Sequence, residues 1–283
     1  MYQRSISRRR PGCIVFLLDR SDSMSRRWQD SGTLAQGAAR AINDVLMELC
    51  LKAQKEHGVC RHYFDIGIFG YGTRPAAGGE GVESAFAGAL AGQDLVALPD
   101  LRDNPIAVRE VPSPDLGAPV TMAPVWVEPV HGYRTPMCEA MAVAGEHVYQ
   151  WAQAHPGSFP PIIINITDGI VTDAPFGGAS LADWAQRLTS IETEDGQALL
   201  FNVFVSPDGG AGGQMFQATS AGLPAPGPDL FQISSVLPPP MVTNASNAGH
   251  PVAAGARGFA FNADPTMLVT FLEVGTTVEV KDG

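Results

Sequence analysis

The sequence predicts a doubly wound (Rossmann-like) α/β domain: a mostly parallel sheet with helices on both faces. Three observations carry this. The apolar runs at residues 13–18 and 161–166 are continuous rather than alternating, as in strands covered on both sides. The segments between them show the periodicity of amphipathic helices. Strand and helix then alternate along the chain, which calls for a parallel sheet with right-handed crossovers.

The elements follow in order. Residues 13–18 form the first strand, and a polar loop follows. Thr33-Leu-Ala-Gln36 has the spacing of a capping box, so a long helix starts there. Its apolar stripe is Leu34, Ala38, Ile42, Val45, Leu49 and Ala53, and Gly58 stops it. Residues 63–69 read as a second strand, 137–154 as a helix and 161–166 as another buried strand. A helix at 181–191, a strand at 198–205, a short strand at 230–233 and a terminal helix at 265–273 complete the pattern. Two stretches break the alternation. Residues 72–134 are rich in Gly and Pro and too long for a bare connection, so an edge strand or hairpin with an elaborated loop is expected there. Residues 207–228 read as a surface excursion. The organisation is therefore a tail (1–12), one domain (13–275) with these two insertions, and a second tail (276–283).

Composition narrows the function. The chain has 283 residues, 45% of them apolar, which suffices for a packed core and excludes global disorder. Eighteen basic against 29 acidic residues give a charge of −11, the wrong sign for nucleic acid or an anionic membrane. The basic start at residues 1–10 resembles the front of a secretory signal, but Asp19 interrupts the apolar run after Leu18. A signal core needs about 7–15 apolar residues and a membrane span about 20. Cys13, Cys50, Cys60 and Cys138 show no C-x-x-C spacing, and Cys13 and Cys138 read as small core residues. A cytoplasmic protein with reduced thiols is expected.

In open α/β sheets, ligands bind at the carboxyl ends of strands where the strand order reverses. The first strand ends in Asp19-Arg20-Ser21-Asp22-Ser23-Met24, and a later one in Thr167-Asp168-Gly169. Between them, Gly132-Tyr-Arg-Thr135-Pro-Met137 sets a hydroxyl in a loop that opens a helix. Carboxylates and hydroxyls without imidazole or thiol make a hard-oxygen site, which selects Mg²⁺ or Mn²⁺ over Zn²⁺.

These three motifs, D-x-S-x-S, a Thr in G-x-x-T-P-M and T-D-G, resemble the von Willebrand factor A (VWA) domain and its metal-ion-dependent adhesion site. The resemblance runs from Cys13 to about Glu273. It implies that Ser21 and Ser23 ligate the metal through their hydroxyls, that Asp19 and Asp168 supply charge directly or through water, and that Thr135 joins in the ligand-competent state. It also implies that a carboxylate from a partner protein completes the shell, and that movement there is coupled to the final helix. Asp22 stands where the animal adhesion domains carry Gly, and the wording R-S-D-S-M and R-T-P-M-C-E is closer to intracellular bacterial members.

Other roles for these residues stay open at this point. Asp19, Ser21 and Ser23 could satisfy their own loop, Thr135 could cap a helix ahead of Pro136, and Asp173 reads as a local cap. Asp22 reads as a solvated neighbour, and Arg20, Arg26 and Arg27 as a solvated face. His131, Tyr133 and Arg134 are either a partner-facing rim or plain loop. The expected function is Mg²⁺-dependent docking of an acidic residue on a partner protein, without catalysis. The alternatives are a non-catalytic subunit of a chelatase or AAA+ ATPase system, and a Mg²⁺-dependent phosphatase. The last is disfavoured because Ser21 holds the position where an aspartyl-phosphate enzyme needs a second acid. The chain also contains no P-loop, nucleophile elbow or H-E-x-x-H motif.

Overall fold

In the computed structural model, which describes residues 1–28, 32–54, 58–111, 121–207, 212–247, 249–250 and 252–281, the first apolar run becomes strand β1 (Gly12–Arg20), buried along its whole length. Helix α1 (Leu34–Ala53) opens with the expected capping box. The Thr33 hydroxyl accepts from the Gln36 N–H, and the Gln36 side chain accepts from the Thr33 N–H. Strand β2 (Phe64–Thr73) follows.

The long insertion holds β3 (Glu80–Ser84), β4 (Val96–Ala97), helix α2 (Leu98–Asp103) and a separate antiparallel hairpin of β5 (Ala107–Val111) and β6 (Thr121–Val125). Residues 112–120 of this insertion and 208–211 of the second one lie outside the described residues. Next come α3 (Met137–Ala154), β7 (Ile162–Thr167) and α4 (Leu181–Thr189), then a small hairpin of β8 (Glu192–Thr193) and β9 (Gly196–Gln197), and β10 (Leu199–Val205). The chain continues through β11 (Gln214–Met215), α5 (Gly227–Ile233), α6 (Pro239–Asn247), β12 (Phe259–Ala263) and α7 (Pro265–Thr276).

The main sheet runs β11-β12-β10-β7-β1-β2-β3, with β4 also on β2. Strands β12, β10, β7, β1 and β2 are parallel, whereas β11, β3 and β4 are short antiparallel additions. Ile14, Phe16 and Leu18 face one layer, with α1 and α7. Cys13, Val15 and Leu17 face the other, with α3, α4 and α5. This is the doubly wound arrangement that the continuous apolar runs predict. Among the described residues, no helix is long and apolar enough to cross a membrane.

One reading of the sequence needs correction. Residues 230–233 are the end of helix α5, not a strand, because Pro228 in the first turn presets a helical φ and one turn buries Leu230 and Phe231. The strand beside β10 is β12, from Phe259-Ala-Phe-Asn-Ala263. At the chain start, Ile6 is buried and pairs with the end of the chain: its N–H donates to the Glu279 carbonyl (2.7 Å), and the Lys281 N–H donates to the Ile6 carbonyl (2.8 Å).

The order decides where a ligand can bind. From β1 the chain moves to β2 on one side and then crosses to β7 on the other. The switch point therefore lies between the carboxyl ends of β1 and β7.

Candidate metal centre

Asp19 is the penultimate residue of β1 and is 1% exposed. Its Oδ1 accepts from the Ser21 N–H (2.8 Å), a turn of the kind that aspartates form two residues on. Its Oδ2 accepts from the Thr167 hydroxyl (2.6 Å) at the end of β7. The chain then enters a 3-10 turn at Asp22–Ser25, pinned by two fully buried side chains, Met24 and Trp28. Trp28 lies on Gly37 of α1, where a Cβ would come within 2.2 Å of the ring. That contact explains a glycine inside a helix, at a cost of about 1 kcal/mol in helix propensity.

The turn brings the hydroxyls of Ser21 and Ser23 to 3.0 Å from one another, and the Ser23 hydroxyl donates to Asp168 Oδ1 (2.7 Å). A hydroxyl that gives its proton to a carboxylate keeps its lone pairs for another partner. Asp168 follows β7, and its side chain is fully buried. Its outer oxygen, Oδ2, accepts from Arg26 Nη2 (2.5 Å).

Thr135 is 4% exposed and is held by backbone bonds rather than by its hydroxyl. Its N–H donates to the Thr172 hydroxyl (2.9 Å), and its carbonyl accepts from the Thr172 N–H (3.2 Å). The hydroxyl does not cap α3. That work falls to Asp173, whose two oxygens accept from the N–H groups of Cys138 (3.1 Å) and Glu139 (2.8 Å). Asp173 is thus a cap, for a helix 35 residues earlier in the chain. Gly169 closes the floor: a Cβ there would stand 3.0 Å from Thr135 Oγ1 and 3.5 Å from Asp19 Oδ2. Those two oxygens therefore border the same small space.

The structure brings all five expected residues, Asp19, Ser21, Ser23, Thr135 and Asp168, to the switch point. Two carboxylates and three hydroxyls, all oxygen, suit a hard divalent cation. Burial pushes the Asp19 carboxyl up to about 6, with the Asp168 charge adding to the rise and the bonds from Ser21 and Thr167 opposing it. A cation between the two acids would favour their ionised forms. Among the described residues, no three His, Cys, Asp or Glu side chains cluster to hold a metal. A cation at this place would have to draw on hydroxyls as well as carboxylates.

The rim is exposed at His131, Tyr133 and Arg134. Tyr133 has φ 63°, a left-handed conformation costing about 1–2 kcal/mol for a side-chain-bearing residue. Backbone bonds from Asp22 N–H to the Tyr133 carbonyl (2.9 Å) and from Gly132 N–H to the Arg20 carbonyl (2.8 Å) hold it there. Asn43 of α1 fixes the approach to this loop, gripping the backbone of Trp126 and Val127. Asp22 and Arg27 face solvent, as expected.

Arg20 does not. It is 4% exposed and lies across Gly70, its nearest acid is Glu83 at 3.9 Å, and its Nε has no partner. The sequence reading also missed Arg26 on Asp168, Thr167 on Asp19 and Thr172 on Thr135. Only Thr167 left a trace, as the hydroxyl in T-D-G.

No protein-family model matches the chain, and no curated protein does. Among solved structures, the chain is similar to the ArnB paralog VWA2 from Sulfolobus acidocaldarius, with 12% identity and a TM-score of 0.37 over 72% of this chain. It is also similar to the pilus adhesin SpaC from Lactobacillus rhamnosus GG, with 10% identity and a TM-score of 0.49 over 93%. The human COPII-coat protein Sec24c gives 11%, 0.34 and 71%. This chain spans only 36%, 30% and 27% of those three chains, respectively.

Proposed function

We propose that the chain is a divalent-cation-dependent protein-docking domain of the von Willebrand factor A type. It takes Mg²⁺ or Mn²⁺ and captures an acidic side chain of a partner protein. The observation that carries this reading is the convergence of five oxygens from three separate loops at the switch point. Two of them belong to buried acids. Bound Mg²⁺ would supply concentrated positive charge and a coordination position open to an external carboxylate. Asp19 and Asp168 provide the negative charge that retains the ion. Ser21, Ser23 and Thr135 contribute neutral oxygens, which leave the ion electron-poor enough to attract a further acid.

The surroundings support a binding role. His131, Tyr133 and Arg134 are exposed beside Thr135, and Ile170 beside Asp168 is 70% exposed. A groove of about 400 Å³ begins at Gly169 and is bordered by Ile170, Val171, Leu181, Pro226 and Ile233. An acidic residue at the metal would thus have an apolar surface next to it. The site is read as non-catalytic: Ser21 stands two positions after Asp19, and Asp22 faces solvent. A scaffold subunit of an AAA+ system would use the same chemistry with a different partner.

The test is a pull-down from the source lysate with wild type and Asp19→Ala, each in Mg²⁺ and in EDTA. A protein retained only by wild type in Mg²⁺ is the expected result, and an ATPase in that role would favour the scaffold version. Equal retention in all four arms would contradict the proposal.

A further inference from the structure

We propose that Arg26 regulates the metal centre as a tethered cation that competes with the divalent ion for Asp168. The inference rests on the metal reading above and adds a residue that the five-oxygen pattern does not contain.

The geometry is specific. Arg26 lies just after the 3-10 turn that carries Ser21 and Ser23, so its backbone is fixed by the same Met24 and Trp28 anchors. Its guanidinium meets three acceptors. Nη2 donates to Asp168 Oδ2 (2.5 Å) and to the Asp168 carbonyl (3.4 Å), while Nε donates to the Ser23 carbonyl (3.2 Å). The exposures are unequal: 49% for the Arg26 side chain and 0% for that of Asp168. The guanidinium is therefore in contact with solvent, while the carboxylate it pairs with is buried.

The two Asp168 oxygens are divided between partners. Oδ1 takes the Ser23 hydroxyl and Oδ2 takes Arg26. A divalent cation beside Ser23 draws on the same carboxylate, whose charge the guanidinium already partly neutralises. Loading the ion at Asp168 then requires the guanidinium to weaken or leave its contact. It can do so at low cost, because it is half exposed and can be hydrated. The adjacent cations differ. Arg27 is exposed, Arg20 is buried across Gly70 beside Glu83, and Arg26 is bonded to Asp168 itself. Arg26 sets the affinity of the centre for the ion, and its removal tightens the site.

Mn²⁺ alone is the probe, titrated calorimetrically and by loss of the free-ion electron paramagnetic resonance signal. The proteins are wild type, Arg26→Gln, Arg27→Gln and Arg26→Gln/Asp19→Ala. Arg27→Gln removes an equal charge one residue along and measures the general electrostatic effect. Arg26→Gln should bind Mn²⁺ about tenfold more tightly than wild type, the scale of one charge-assisted hydrogen bond at a partly exposed pair. Arg27→Gln should change affinity less than about twofold, and adding Asp19→Ala should abolish the gain. Circular dichroism melts confirm that each variant is folded, and Arg26→Ala substitutes for Arg26→Gln if that variant is not. Unchanged or weaker binding by Arg26→Gln, or an equal gain in Arg27→Gln, overturns the inference while leaving the metal centre intact. No Mn²⁺ binding by wild type or Arg26→Gln overturns the metal reading and this inference with it.

Discussion

The Thr167 hydroxyl donates to Asp19 Oδ2 at 2.6 Å and so fixes which way that carboxylate faces. Thr167→Val keeps the shape and removes the donor. Supporting bonds of this kind are worth about 10–100-fold in metal affinity, so Mn²⁺ titration should show a loss in that range. Gly169→Ala should also weaken binding, because its Cβ would press on the Thr135 hydroxyl from 3.0 Å. At the amino-terminal end of β2, away from the site, His62 Nε2 lies 2.7 Å from Asp65 Oδ1, and Trp151 Nε1 donates to Asp65 Oδ2 (2.8 Å). The hydrogen bond to Asp65 raises the His62 pKa, against a smaller opposing effect of burial. The folded state thus holds the imidazole proton more tightly than the unfolded chain. That contribution is fully present below the unfolded value of about 6.5 and is lost as pH rises through the folded one. In urea denaturation, His62→Gln should be more destabilising at pH 6 than at pH 9.

Elements differ in how plainly the sequence announces them. Strands β1, β7 and β10 are continuous apolar runs, and α1 carries its own capping box, so these were legible. Strand β12 was not, because Phe259-Ala-Phe-Asn-Ala263 is short and interrupted by Asn262. Residues 230–233 were misread because a four-residue apolar run has no period to separate helix from strand. Helix α6 lies in a Pro-rich stretch that reads as loop. At the site, the five oxygens were legible as local motifs. Arg26 and Thr172 were not, since only the folded loops bring them to Asp168 and Thr135.

Asn165 and Asn202 interrupt two apolar runs, and the sheet pairs them in register. They form a buried chain, in which Tyr71 donates to Asn165 (2.7 Å), Asn165 to Asn202 (3.0 Å) and Asn202 to Ser234 (2.9 Å). It links β2, β7, β10 and the end of α5 beneath the loops of the candidate site. Asn165→Leu would strand buried partners at about 1–3 kcal/mol each, and the melting temperature should fall accordingly. Gly37→Ala should cost about 1–3 kcal/mol through overpacking on Trp28, and should weaken Mn²⁺ binding as well because Trp28 anchors the loop. An unchanged metal affinity in folded Gly37→Ala would separate that anchor from the site.

At the scale of the whole molecule, the doubly wound topology decides where chemistry can occur. The sheet buries both faces of its central strands, so reactive side chains can emerge only at strand ends, and the crossover between β1 and β7 opens one such place. The motif of the first strand lies more than a hundred residues before those of the α3 entry and the later strand, and the three meet only there. A net charge of −11 disfavours nucleic acid and anionic membranes but does not prevent docking of an acidic residue, provided a cation stands between the two. The cation is thus the central claim. The most direct test is a crystal structure of the wild-type protein grown with Mn²⁺, read by its anomalous scattering. The account predicts one strong peak enclosed by Asp19, Ser21, Ser23, Thr135 and Asp168, absent in Asp19→Ala. A peak elsewhere, or none at saturating Mn²⁺, would contradict it.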